Sequence, residues 1–211
     1  MDKSLNRNTS ATRQPARERL LAAAGELFYE EGVQSVGIDK VIERAGVAKA
    51  SLYANFKGKD DLVRAYLDAR FEARRAAIET RLTRHEAPRD KLLSVFDTMG
   101  EALAKPNYRG CAFLRASAEM PAEASGREVC RNARRWTREL LSGLANEAGA
   151  AKPETRARQL LLLYDGAAAS AQLDPDPGIG AAAKAAAEIL IDAACTKRSI
   201  AAARSARVRR R

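Results

Sequence analysis

The sequence predicts an all-α fold of about nine helices, and three observations predict it. Apolar residues recur three and four apart along most of the chain, the period of a buried helical face. Long alanine-rich segments accompany them, while aromatic residues, which favour strands, make up only 5% of the composition. Proline and glycine fall mainly at the breaks between these segments. At 211 residues the chain has ample length for a buried core in one large domain or two small ones.

Residues 1–13 are polar and aperiodic and read as a flexible arm. A first helix from near Pro15 to Glu31 carries the apolar stripe Leu20, Ala24, Leu27 and Phe28, and Gly32 closes it. Pro15 suits a first turn, where its missing N–H costs nothing. Residues 36–60 read as two short helices bent around Ala45-Gly46-Val47. Ile38, Val41, Ile42 and Ala45 line the first of them, and Leu52 and Phe56 the second. Gly46 sits where a helix end favours positive φ. A long helix follows from about Lys59 to Thr83, with Leu62, Tyr66, Leu67, Phe71 and Ile78. Pro88 ends that region, and Asp90 to Ala104 is amphipathic through Leu92, Val95, Phe96, Met99 and Leu103. A short helix ending at Met120-Pro121 precedes a long one reaching about Asn146, with Val129, Ala133, Trp136, Leu140 and Leu144. Pro153 opens a helix to Leu173, and a last helix runs to about Cys195. Residues 197–211 read as a basic, disordered tail.

The front of the second short helix points to a function. Lys49, Ala50, Ser51, Tyr53 and Asn55 are small, polar or aromatic and include no carboxylate. A helix with a packed back and such a front suits a DNA groove, with the preceding helix braced across the phosphates. The segment AGVAKASLYANFKGKDDLV resembles the recognition region of the tetracycline-repressor (TetR) family: a Gly-Val turn, then Leu-Tyr-x-x-Phe, then Lys at the start of a fourth helix. This strong likeness covers about residues 16–66. GCAFLRASAEMP (110–121) and LLLLYDGA (160–167) resemble one branch of that family's variable C-terminal part.

The resemblance implies a helix-turn-helix domain over 14–60 and a helical ligand-binding and dimerisation domain over 61–196. It implies that Lys49, Ala50, Ser51, Tyr53 and Asn55 face the major groove or its walls and that Lys59 meets a phosphate. The chemistry agrees, because Asn pairs with adenine, Ala meets a thymine methyl, and Ser, Tyr and Lys bond phosphate oxygens. There are departures. Ala48 stands where many members cap the recognition helix with Ser or Thr, a loss of about 1 kcal/mol. Ala54 replaces a side chain that is often large. Gly37 stands at a common Ser/Thr position among the DNA contacts and gives up a hydroxyl.

Small residues crowd the last two long helices and allow close approach of backbones. Leu160, Leu163, Ala167, Ala168 and Ala171 cluster on one, and Ala182, Ala186, Ile189, Leu190 and Ala193 on the other. The resemblance implies that two such helices from each subunit form a homodimer interface; packing only within one subunit is the alternative. Dimerisation also suits a reader of two half-sites about one DNA turn apart. Phe96, Met99, Cys111, Phe113, Leu114, Trp136 and Tyr164 are candidates to line a ligand cavity, with Arg115 and Glu119 as polar candidates; plain core packing is the alternative for each.

No 18-residue apolar window offers a membrane span, and the polar N-terminus lacks a secretory h-region. Cys111, Cys130 and Cys195 are odd in number and widely spaced, as expected of reduced thiols in cytoplasm. Arginines flank Cys111 and Cys130, so these thiols read either as oxidation sensors or as inert buried groups. His85 is the only histidine, and no metal-spaced cluster, phosphate loop, cofactor motif or catalytic motif surrounds it, which argues against an enzyme. The net charge of +10 includes seven basic residues between Lys197 and Arg211, leaving only +3 for the rest. That tail reads equally as a nonspecific phosphate binder or a solvated end. The expected function is a transcriptional repressor on a palindromic operator, released by a small-molecule effector. A DNA-bound protein-interaction factor that senses no small molecule is the alternative.

Overall fold

A computed structural model describes residues 14–208, with side chains described through Ala194. The arm over 1–13 lies outside the described residues. Nine helices and no strand occupy the described part. The chain divides into two compact units between Tyr66 and Leu67.

The first unit contains α1 (Ala16–Glu31), α2 (Ile38–Ala45), α3 (Lys49–Asn55) and the opening turns of α4 (Lys59–Leu82). Its core is built from the stripes read in the sequence: Leu20, Ala24, Leu27 and Phe28 of α1, Val41 and Ala45 of α2, and Leu52 of α3 are all buried. Phe56, just past α3, is 3% exposed and closes the back of that helix. Each such large side chain contributes about 1.5–3 kcal/mol by leaving water. Phe28 meets the Tyr66 ring edge-on at 5.6 Å. The bend between α2 and α3 depends on Gly46, which sits at φ 60°. A Cβ there would also come within 2.8 Å of the Arg19 guanidinium.

The second unit holds the rest of α4, then α5 (Pro88–Leu103), α6 (Ala112–Glu119), α7 (Gly126–Glu147), α8 (Pro153–Leu173) and α9 (Ile179–Val208). Its core runs through Leu92, Phe96, Leu141, Leu160 and Ile191, all fully buried. The α5 and α9 backbones nearly touch: a Cβ on Gly180 would lie 2.6 Å from the Gly100 Cα. Ion pairs flank that contact. Arg89 donates to Asp192 at 2.7 Å and to Glu188 at 2.6 Å, and Lys184 pairs with Asp97 at 2.7 Å.

Two elements differ from the sequence reading. The fifth helix starts at Pro88 rather than Asp90, because proline at the first turn forgoes only an N–H that has no intrahelical acceptor. The last helix continues past Cys195 into the segment read as a tail. Its backbone is helical to Val208, as befits the alanines and arginines of that segment, which are strong helix formers. Arg209–Arg211 lie outside the described residues.

Candidate nucleic-acid interface and ligand cavity

The front of α3 is open to solvent. Lys49, Ala50, Tyr53 and Asn55 are exposed, Ser51 is half-buried, and Tyr53 presents 54% of its surface. The exposure follows from the helical period: with Leu52 and Phe56 locked inward, the intervening positions face out. Arg19 donates to the Gly46 carbonyl at 2.7 Å and so fixes the turn that aims α3. The Arg17 guanidinium lies 5.3 Å from the Phe56 ring centroid. Lys59 donates to the Gln34 carbonyl at 3.0 Å, which ties the start of α4 to the loop before α2. Exposed Gly37 begins α2 without a side-chain cap, and Ala48 does the same for α3.

Electrostatics here are local. Residues 14–66 hold eight basic and eight acidic side chains and so have no net charge. Several acids are engaged: Glu31 with Lys40 at 2.5 Å, Glu26 with Arg44 at 3.0 Å, and Asp39 with Lys49 at 3.0 Å. The Asp39 hydrogen bond raises the Lys49 pKa above the ordinary lysine value. Asn55 turns back on its own helix, donating from Nδ2 to the Ser51 carbonyl at 2.7 Å.

In the second unit a cavity of about 230 Å³ opens among α4, α6, α7 and α8. Of the seven residues expected at a cavity, Cys111, Phe113, Leu114 and Tyr164 line it. Phe96 and Met99 instead belong to the core, where Phe96 meets the Tyr164 ring edge-on at 6.1 Å. Trp136 packs edge-on against Phe71 at 5.8 Å. Neither Arg115 nor Glu119 is on the lining. Sequence reading missed Arg74, whose charge looks like an ordinary solvated position on an amphipathic helix, and took Arg134 only as a neighbour of Cys130. Only the fold brings them to one wall with Asp165, the partner of Arg134. Burial pushes the Tyr164 phenol above its ordinary value and keeps it protonated. Burial likewise pushes the Cys130 thiol up, against a Ser117 hydrogen bond that pulls it down. A buried thiol held neutral is a poor nucleophile. Cys111 is half-buried, and the Cys195 side chain lies outside the described residues.

The candidate dimer residues divide. On α9, Ala182, Ile189 and Ala193 are exposed, Ile189 by 70%, while Ala186 and Leu190 are half-buried. The inward stripe lies one residue on, at Ala183, Ala187, Ile191 and Ala194. On α8 the result is opposite. Leu160 is fully buried, Ala167, Ala168 and Ala171 are nearly so, and Leu163 packs partly buried against the subunit's own core. The outward apolar stripe of α8 is Leu162, Gly166, Ala169 and Leu173, with Leu162 63% and Leu173 84% exposed. Alanine and leucine are common on both faces of α8, so composition alone did not distinguish inside from outside. No helix among the described residues is long and apolar enough to cross a membrane.

The profile of bacterial regulatory proteins of the tetR family matches residues 20–66, nearly all of the described part of the unit that presents α3. A crystal structure of SCO4454, a TetR-family transcriptional regulator from Streptomyces coelicolor, superposes with a TM-score of 0.82 at 33% identity, covering 86% of this chain and 90% of that one. Among curated relatives, the regulator SrpR of Pseudomonas putida is 34% identical over 64 residues, 30% of each chain. The regulator TtgR, also of Pseudomonas putida, is 32% identical over 98 residues, 44% of this chain and 47% of that one. The matches thus span between about a third and a half of those curated relatives. With the likeness to SCO4454 extending over nearly both full chains, the protein belongs to the TetR family of DNA-binding transcriptional regulators.

Proposed function

We propose that the protein is a cytoplasmic transcriptional repressor that binds a palindromic operator as a homodimer and releases it when a small molecule occupies the second unit. The observation behind this reading is the α3 surface: a packed back and an exposed front without a carboxylate. In the proposed complex Lys49, Ala50, Ser51 and Tyr53 lie against the major groove. Lys59 meets a phosphate, and the uncapped start of α2 at Gly37 offers backbone N–H groups to another. Because residues 14–66 are neutral overall, affinity rests on these placed groups rather than on bulk charge.

The apolar stripes on α8 and α9 support a dimer, with Leu162, Leu173 and Ile189 as its exposed large anchors. Release requires the effector to bind better to a conformation whose two α3 helices no longer fit the half-site spacing. Differential affinities of this kind are worth about 1–3 kcal/mol, or 5–150-fold. Residues 14–60 are the proposed reader and 61–196 the proposed effector and dimer domain.

Footprinting on DNA upstream of the protein's own gene and its divergent neighbour tests the reading. A symmetric protected site, lost on adding a compound that also raises the melting temperature, is the expected result. Protection that no compound relieves favours the protein-interaction alternative, and absence of any protected site removes the operator assignment.

A further inference from the structure

We propose that the cavity of the second unit takes a small organic anion, a carboxylate carried on a flat apolar body; this rests on the effector reading above. The described lining includes four arginines, Arg74, Arg127, Arg131 and Arg134, against one acidic residue, Asp165. Asp165 is already paired with Arg134, so the charge of the remaining three is uncompensated by any acid on the wall. A cationic ligand would enter against that field, and an anion would enter with it.

Arg74 gives the site its geometry. Its Nη2 donates over long distances, 3.2 Å to the Ala133 carbonyl and 3.3 Å to Thr137 Oγ1. Its Nε is buried and has no hydrogen-bond partner among the described residues. A buried guanidinium N–H left without an acceptor costs free energy, and a ligand oxygen that draws the guanidinium edge toward the cavity would recover it. Carboxylates match this need because the guanidinium edge presents parallel donors to two oxygens. The Arg74 guanidinium also lies 4.6 Å from the Phe113 ring centroid, forming a flat shelf. Leu161, Ala133 and Leu114 supply the apolar part of the wall, which suits a ring rather than a phosphate or sulfate alone. Arg127 donates to the Met120 and Pro121 carbonyls, so its contribution is charge rather than direct contact.

Calorimetric titration of the full chain with 2-naphthoate, 2-naphthamide and 2-naphthylmethylamine tests the inference. The carboxylate is expected to bind at least tenfold more tightly than the amide, and the protonated amine not measurably. Arg74→Gln should bring the carboxylate down to the amide's affinity and leave the amide within twofold. Ser117→Trp, which fills the cavity, should abolish binding of both. Equal binding of the three probes, an unaltered carboxylate affinity in Arg74→Gln, or undiminished binding to Ser117→Trp overturns the inference, as does failure of 2-naphthoate and the smaller benzoate to bind at all. If Arg74→Gln does not fold, Arg74→Lys keeps the charge but loses the paired donors and should lower carboxylate affinity alone. Operator release by a neutral or cationic compound that Ser117→Trp no longer binds overturns the anion class and leaves the effector reading standing. Tight naphthoate binding that never alters operator affinity supports the anion site and removes the release mechanism instead.

Discussion

Lys49 holds its ammonium 3.0 Å from the Asp39 carboxylate, so the basic residue that opens α3 faces an acid in the first turn of α2. Both side chains are well exposed, 62% and 83%, and the pair therefore contributes little to stability. Its consequence is for DNA. An acid at this position repels the phosphates that Lys49 would meet and occupies the cation in the free protein. Asp39→Asn is expected to tighten binding to all DNA sequences several-fold and to steepen the salt dependence by about 0.9 per half-site. Unchanged affinity in gel-shift titrations across a salt series would show that Lys49 makes no phosphate contact.

Lys59 and Asn55 should behave less alike than their side chains suggest. Lys59→Ala removes a cation and the tie to the Gln34 carbonyl, so it should weaken specific and nonspecific binding together and flatten the salt slope by about 0.9 per half-site. Asn55 donates one of its two amide N–H groups to the Ser51 carbonyl, which holds the side chain along its own helix rather than extended toward a base. Asn55→Ala is therefore expected to cost less than the roughly 1–3 kcal/mol typical of a lost base contact. A loss of that size confined to one operator position would show that Asn55 turns outward to read a base.

Where the sequence was legible, one residue type had one physical role. Leu52 and Phe56 are the only large apolar groups in their segment besides Tyr53, so the back of α3 and hence its front followed from helical spacing. On α8 that logic fails. Leu160, Leu161, Leu162 and Leu163 are consecutive, and only packing against α7 and α9 turns Leu162 outward while Leu160 is sealed. The cavity was half legible for a similar reason. Phe113 and Tyr164 are visible as aromatic candidates, but Arg74 is one of many arginines until the fold sets it over Phe113.

The α5–α9 seam gives a stability test independent of DNA. A methyl at Gly180 would press against the Gly100 backbone at 2.6 Å, and no flexible side chain is there to move aside. Gly180→Ala should destabilise the protein by about 1–3 kcal/mol, the usual cost of overpacking, despite alanine's better helix propensity. Gly143→Ala, on α7 with nothing within 4 Å of the added atom, is the control and should be neutral or stabilising. Equal melting temperatures for the two variants would show that the helices separate at the seam at little cost.

The buried Tyr164 phenol makes stability fall at alkaline pH. Burial raises its folded pKa, so the unfolded chain loses this proton at lower pH than the folded one. The stability that the neutral phenol contributes is fully present below the unfolded value of about 10 and is lost as pH rises through the folded value. Tyr164→Phe should therefore lose less stability than the parent between about pH 9 and 11. Parallel urea midpoints for the two proteins across that range would mean that the phenol is hydrated in the folded state.

The dimer face offers the sharpest contrast between two neighbouring positions. Leu162 is 63% exposed in the single subunit, and Ala168, on the same helix, is 6% exposed. An arginine at 162 leaves the subunit's own packing intact but forces a cation into the proposed interface between copies, without a partner. Leu162→Arg, alone or with Ile189→Arg, should sediment as a folded monomer with unchanged helix content. Its operator affinity should fall about 100-fold or more, because the two half-sites are no longer bound as one linked unit. Ala168→Arg should fail differently, lowering the melting temperature of the subunit itself through overpacking and a buried charge. A Leu162→Arg protein that remains dimeric and binds its operator normally would move the interface off this face of α8.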